Sequence, residues 1–264
     1  MTNPALLEMQ NVHVSYGRQV VFSGLSLTLP ADQSCAVIGP NGSGKSTLLK
    51  LISRNLYPLD HEYSHFRILG QKPRQRDQLR MRMGLVSHDL QIKVDKESTI
   101  LDVVISQFYS SLSTYAHQNY SEEQTETAIS QLEFMGIAHL ATCRFVTVST
   151  GEQRLCLLAR ALCHDPEYLI LDEPTSGLDI KATHRYLEAM SKLIAKGKKI
   201  VLVTHYLQEV LPEIDWFVFL RNGEYVGEGN RETMLTNEKV SELFGLPIQL
   251  DQIDRRFYPR VIPS

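Results

Sequence analysis

The stretch Gly39-Pro40-Asn41-Gly42-Ser43-Gly44-Lys45-Ser46 fits the spacing GxxxxGK[ST]. Glycines at such positions let the backbone curl until several N–H groups converge, and a helix that starts just beyond adds its positive end. A polyphosphate meets a ring of donors there. Lys45 would neutralise the outer phosphates, Ser46 would offer a hydroxyl to a small hard cation that keeps most of its own water, and Thr47 continues the segment into the helix. Two carboxylates, Asp172 and Glu173, close the apolar run Leu169-Ile170-Leu171. Asp172 is suited to the outer shell of that cation, and Glu173 to orienting and deprotonating a water. In Val148-Ser149-Thr150-Gly151-Glu152-Gln153-Arg154, Ser149 stands at the start of an apolar-rich helical run, another place where backbone N–H groups face an anion. His205 follows the apolar run Ile200 to Thr204. A histidine at a strand end is more often structural, and its position after this strand makes it a candidate phosphate contact.

These residues need a scaffold that delivers them to one edge. Alternation through Leu7, Met9, Val12 and Val14, then Val20, Phe22, Leu25, Leu27 and Leu29, predicts half-buried antiparallel strands at the front. Cys35 to Ile38 reads as a buried strand leading into the glycine-rich turn, with a helix from Thr47 to Ile52. Helical periodicity between Ser98 and Cys143 places Ile100, Val103, Val104 and Phe108 on one face and Ile129, Leu132 and Met135 on another. Leu112 to Tyr120 is polar and aperiodic, and Ser121 before Glu122 and Glu123 is a helix start. Tyr168 to Leu171 and Lys199 to Thr204 are strands followed by helix-compatible sequence, and Asn222-Gly223 joins a hairpin. The expected fold class is α/β: a P-loop NTPase core with a mostly parallel sheet flanked by helices, an N-terminal antiparallel β-subdomain and an inserted helical subdomain at about 89–165. Residues 1–230 form the main body and 231–264 a short tail.

The chain has 264 residues, 43% of them hydrophobic, and a formal net charge of -3. No overall basic field draws it to nucleic acid, and no nucleic-acid partner is expected. The basic stretch Lys72, Arg74, Arg76, Arg80 and Arg82 reads as a solvated face in preference to an RNA contact. Cys35, Cys143, Cys156 and Cys163 lack zinc-ligand spacing and read as reduced core thiols. No apolar run approaches the roughly 18–20 residues of a membrane span, and the start lacks a secretory pattern, so a cytoplasmic location is the default.

The glycine-rich turn and the acidic strand end specify only a P-loop NTPase. The segment around Ser149 goes further: it resembles the LSGGQ signature of ABC ATPases, followed by QR. Pro174-Thr175 after the acidic pair, Ser176-Gly177-Leu178-Asp179 as the D-loop, His205 as the switch histidine and Tyr16 as the aromatic that stacks on adenine fall in the family's order. The resemblance, which spans Leu6 to about Gly229, implies ATP and Mg²⁺ as ligands and hydrolysis by a dimer. Lys45 of one copy and Ser149, Thr150, Gly151 and Glu152 of the other would enclose the nucleotide. Three residues depart from the pattern: His88 stands at the Q-loop glutamine, where it would approach the metal, Thr150 replaces a glycine, and Glu152 replaces a glutamine. The tail and the STGEQ spelling are similar to ATPases of iron-complex or molybdate importers, which implies integral-membrane permease partners and a peripheral place on the inner face of the cell membrane. A soluble ABC regulator or ribosome- or nucleic-acid-associated factor is the alternative, and a small-molecule kinase would have to explain away Ser149, Gly151 and His205.

Overall fold

Short apolar runs bounded by glycine and polar turns become strands, and longer 3.6-periodic runs become helices, in a computed structural model that describes residues 5–71, 81–109 and 120–263. In chain order these are β1 (Leu7–Tyr16), β2 (Gln19–Leu29), β3 (Cys35–Ile38), α1 (Lys45–Ile52), β4 (His65–Ile68) and β5 (Met83–Val86). Next come α2 (His88–Lys93), α3 (Ile100–Ile105), α4 (Glu122–Phe134), α5 (Thr150–Leu162), β6 (Tyr168–Asp172) and α6 (Ile180–Ala195). The chain ends with β7 (Lys199–Thr204), β8 (Trp216–Arg221), β9 (Glu224–Asn230), α7 (Arg231–Met234), α8 (Asn237–Phe244), β10 (Ile248–Ile253) and β11 (Arg256–Val261). One compact unit comprises Met1–Leu79 with Lys199–Ser264, and a second comprises Arg80–Lys198.

In the first unit β1 lies between β2 and β4, antiparallel to both. Asn11 (φ 48°) and Gly24 (φ 78°) mark opposed register shifts in β1 and β2, which keep Val12 and Val14 paired with Leu25 and Phe22 on the buried side. Val20, expected to point inward, is 65% exposed; it pairs with Ser15 beside the turn of the hairpin. The four residues of β3 are fully buried. They pair in parallel with β7 on one side and β8 on the other, so both edges of the strand are hydrogen-bonded, and its complete burial means both faces are covered as well. The turn into β9 places Asn222 (φ 52°) and Gly223 (φ 78°) in the left-handed region, as the sequence pair predicts.

Residues beyond Asn230 are organised. Gly245 (φ 71°) ends α8, and β10 and β11 form an antiparallel hairpin. Arg231, only 8% exposed, donates to the carbonyls of Leu211 and Ile214 and to that of Arg255 in the hairpin. Its guanidinium also lies within 6 Å of the Phe217 and Phe257 rings.

In the second unit β5 and β6 pair in parallel. Gly84 brings β5 against α5; a Cβ there would sit 2.8 Å from the Ala161 carbonyl oxygen. Reciprocal caps by Thr99 with Asp102 and by Ser121 with Gln124 start α3 and α4. Ile100, Val103 and Val104 are buried as their spacing predicts. On α4 the buried stripe runs Ala128, Leu132, Met135, and Ile129 is 37% exposed. It stands about 100° round the helix from Ala128, outside the covered stripe. Lys72 to Arg80 and most of Leu112 to Tyr120 lie outside the described residues. Arg82 is ion-paired with Glu167 at 2.5 Å. No helix among the described residues is long and apolar enough to cross a membrane.

Candidate active site

β3 ends in the glycine-rich turn, and space dictates its residue types. A Cβ on Gly39 would lie 2.1 Å from the Leu220 carbonyl oxygen, and one on Gly44 would lie 2.5 Å from the Phe22 ring. Gly44 caps α1 at φ 98°, and Gly42 has φ 80°, conformations that L side chains rarely adopt. The tip of the β8–β9 hairpin braces the turn through a bond from Gly223 N to Ser43 O (3.1 Å). Lys45 is buried, with its Nζ donating to the Gly39 and Pro40 carbonyls at 2.8 and 3.0 Å, so the ammonium sits under the loop. Ser43 Oγ is buried and has no hydrogen-bond partner among the described residues. An unpartnered hydroxyl in a cradle that admits no Cβ fits a ligand rich in acceptor oxygens. Asn41, Gly42 and Ser46 are exposed and Thr47 is buried.

Two further residues belong to this unit. Tyr16 ends β1, is 41% exposed, and its ring lies 5.4 Å from Nζ of Lys50 on α1. His205 follows β7, partly exposed, against the Tyr206 ring at 3.8 Å. The turn carrying it is fixed from beneath: buried Thr204 donates to buried Glu209 through a short hydrogen bond and accepts from Tyr206 N at 2.9 Å.

In the second unit Asp172 is the last residue of β6 and Glu173 the next, both partly exposed. Glu173 adopts φ 44°, a left-handed conformation that for a non-glycine residue is usually found where surrounding structure imposes it. Ser46 and Asp172 offer a hydroxyl and a carboxylate, hard oxygen donors of the kind Mg²⁺ takes when phosphate and water complete its shell. No group of three metal-ligating side chains occurs among the described residues. His88 is exposed at the start of α2.

Ser149 caps α5, and Glu152 closes a reciprocal box with it: Ser149 N and Oγ donate to Glu152 Oε2 at 2.8 and 2.6 Å, and Glu152 N donates back to Ser149 Oγ at 3.3 Å. Those bonds, with lesser help from the charges of Arg185 and His139, hold the Glu152 carboxyl below its usual range. Thr150 is exposed in the first turn, where a β-branched residue is tolerated. Gly151 is buried against α6; a Cβ there would stand 2.6 Å from Ala182 Cβ. Asp179 caps α6, accepting from Ala182 N at 2.7 Å. Ser149, Gly151, Glu152 and Asp179 therefore share one cleft of about 220 Å³, together with Lys181 and Arg185. Sequence reasoning singled out neither cation; their signal is the i, i+4 spacing behind the Asp179 cap. A pair of amides adds a link that also went unread: Gln91 on α2 donates to Gln153 at 2.6 Å, and Gln153 donates to the Phe145 and Val148 carbonyls.

Comparison with known proteins gives this arrangement a context. Residues 22–176 match the family described as ABC transporter. The ABC transporter ATP-binding protein YlmA of Bacillus subtilis (strain 168), itself uncharacterised, is 33% identical over 98% of both chains. The Nod factor export ATP-binding protein I of Rhizobium johnstonii is 34% identical over 92% of this chain and 76% of its own. Among solved structures, one described as an inward-facing metal-chelate type ABC transporter superposes with a TM-score of 0.78 at 25% identity, over 99% of this chain and 98% of that one. Cassettes of this family pair as dimers and work with membrane permease subunits. With more than half its length inside the family match, the chain belongs to the ABC transporter ATP-binding proteins and is an ATPase of the P-loop fold.

Proposed function

We propose that two copies of the chain enclose ATP between the Gly39–Thr47 loop of one and the Ser149–Glu152 turn of the other, and that hydrolysis there drives a membrane permease. Tyr16 stacks on adenine, and Lys45 offsets the charge of the outer phosphates. Ser46 and Asp172 would hold Mg²⁺, with His88 as a further candidate ligand, and the ion would neutralise phosphate charge. Glu173 accepts the proton of the attacking water, His205 contacts the γ-phosphate, and Asp179 lies along the interface. Attack forms the new P–O bond and breaks the β–γ bridge, so ADP and inorganic phosphate leave and the copies part. The observation that carries this reading is the exposed, capped Ser149, a helix start displayed to solvent in the unit that does not contain Lys45. The assembly is a homodimer peripheral to the cytoplasmic face of the membrane.

The direction we infer is import. The likeness to the metal-chelate type transporter spans essentially both chains, whereas the Nod factor export protein is longer than the match. Glu173→Gln in the purified chain tests the chemistry: ATP with Mg²⁺ traps a dimer on size exclusion, and turnover falls at least about 100-fold. A monomer under saturating nucleotide, or full hydrolysis, overturns the reading. The alternative of a soluble factor is separated by fractionation, in which a permease-coupled chain sediments with membranes and leaves them when the permease is absent.

A further inference from the structure

The Glu152 carboxylate creates a difficulty at the proposed interface. In the family pattern an amide stands at this position, and here an ionised group lies 2.6 Å from Ser149 Oγ, the atom meant to meet a phosphate. Repulsion between a carboxylate and phosphate oxygens a few ångströms away is strong enough, at the dielectric of a protein surface, to weaken binding by about tenfold or more. The Ser149 proton is also committed, since it is donated to Glu152 Oε2. For Ser149 to donate to a phosphate, the carboxylate must release that bond and find another donor.

The neighbouring helix supplies one. Gly151 permits the close approach of α6 at Ala182, and Arg185, one turn further on the same face, lines the cleft that holds Ser149 and Glu152. Its guanidinium also lies beside Gly136, Nη2 being 3.8 Å from where a Cβ on that residue would stand. We propose that Arg185 is a positioning residue for the signature turn: it takes up the Glu152 carboxylate, offsets its charge and frees Ser149 to meet the terminal phosphate of a nucleotide held by a second copy. The inference rests on the dimer reading above and adds a residue that acts through Glu152 without touching the substrate. A planar fork of N–H donors suits a carboxylate that must exchange one hydrogen bond for another.

A thermodynamic cycle on the full chain tests it, with steady-state ATP hydrolysis followed against ATP concentration at fixed Mg²⁺. Arg185→Met is expected to raise the KM for ATP about tenfold with a smaller loss in kcat, and Arg185→Lys to stay within about threefold of the parent. In the Glu152→Gln background, the penalty of Arg185→Met should shrink to less than about twofold, because the charge it offsets is gone. Thermal unfolding of each variant separates this from loss of fold, and Arg185→Gln replaces Arg185→Met in the cycle should the latter not fold. An unaltered KM in Arg185→Met, an Arg185→Lys as impaired as the methionine variant, or equal penalties in both backgrounds overturns the proposal. Equal penalties in an active, dimerising chain sink this inference alone; a parent chain that neither hydrolyses ATP nor dimerises sinks the proposed function.

Discussion

The two turns expected to meet phosphate are built on opposite plans. The turn from Gly39 to Ser46 is shaped by exclusion: Leu220 and Phe22 leave no room for a Cβ, and Lys45 and Ser43 are buried. The turn from Ser149 to Glu152 is shaped by exchangeable hydrogen bonds at the surface, and Thr150 there faces solvent. A site defined by space tolerates few residues. A site defined by a cap tolerates substitution as long as charge and hydrogen bonds are rebalanced, and two of the three departures from the family pattern, Thr150 and Glu152, occur there.

The contrast can be broken by placing the same methyl group in each turn. Gly39→Ala should have the largest effect, because its new carbon meets backbone that cannot swing away; a loss of about 3 kcal/mol or more in urea unfolding is expected, with nucleotide binding abolished. Gly151→Ala opposes a side-chain methyl on a helix that can shift by a few tenths of an ångström, and about 1–2 kcal/mol is expected. Equal losses at the two sites would remove the distinction. Ser149→Ala should cost least, about 1 kcal/mol at neutral pH, through the lost cap. Its bonds hold the Glu152 carboxyl below the usual carboxylate range. That contribution is fully present above the unfolded-state pKa and fades as pH falls through the lower folded-state value, so the stability gap between parent and Ser149→Ala should narrow in acid. A gap that is constant with pH would show that Glu152 is not part of the cap.

Much of this was legible because local rules decide it. The glycine turn, the Asn222-Gly223 hairpin and the helix start at Ser121 depend on residues within a few positions of one another, and buried strands announce themselves as apolar runs. Three of the four cysteines follow the same logic: Cys35, Cys156 and Cys163 are buried core thiols, and burial pushes Cys35 and Cys163 up to about 12, whereas Cys143, expected in the core, is only partly covered. What escaped depends on partners far along the chain. Val20 and Ile129 have the right periodicity for burial, but Val20 sits beside the hairpin turn and Ile129 stands one residue round α4 from the covered stripe. Arg185 carries no motif, and its relevance appears only when α6 is seen against the Ser149 turn. The same is true of Gln91 and of Glu209 beneath Thr204, polar residues whose spacing matches no rule that points at a site.

Arg231 joins three carbonyls that are distant in sequence, two just beyond the His205 turn and one in the terminal hairpin. Trimming the chain before Arg231 would therefore strand the buried Leu211 and Ile214 carbonyls beside the segment that leaves His205. The stretch from Arg231 onward thus braces the segment that follows His205.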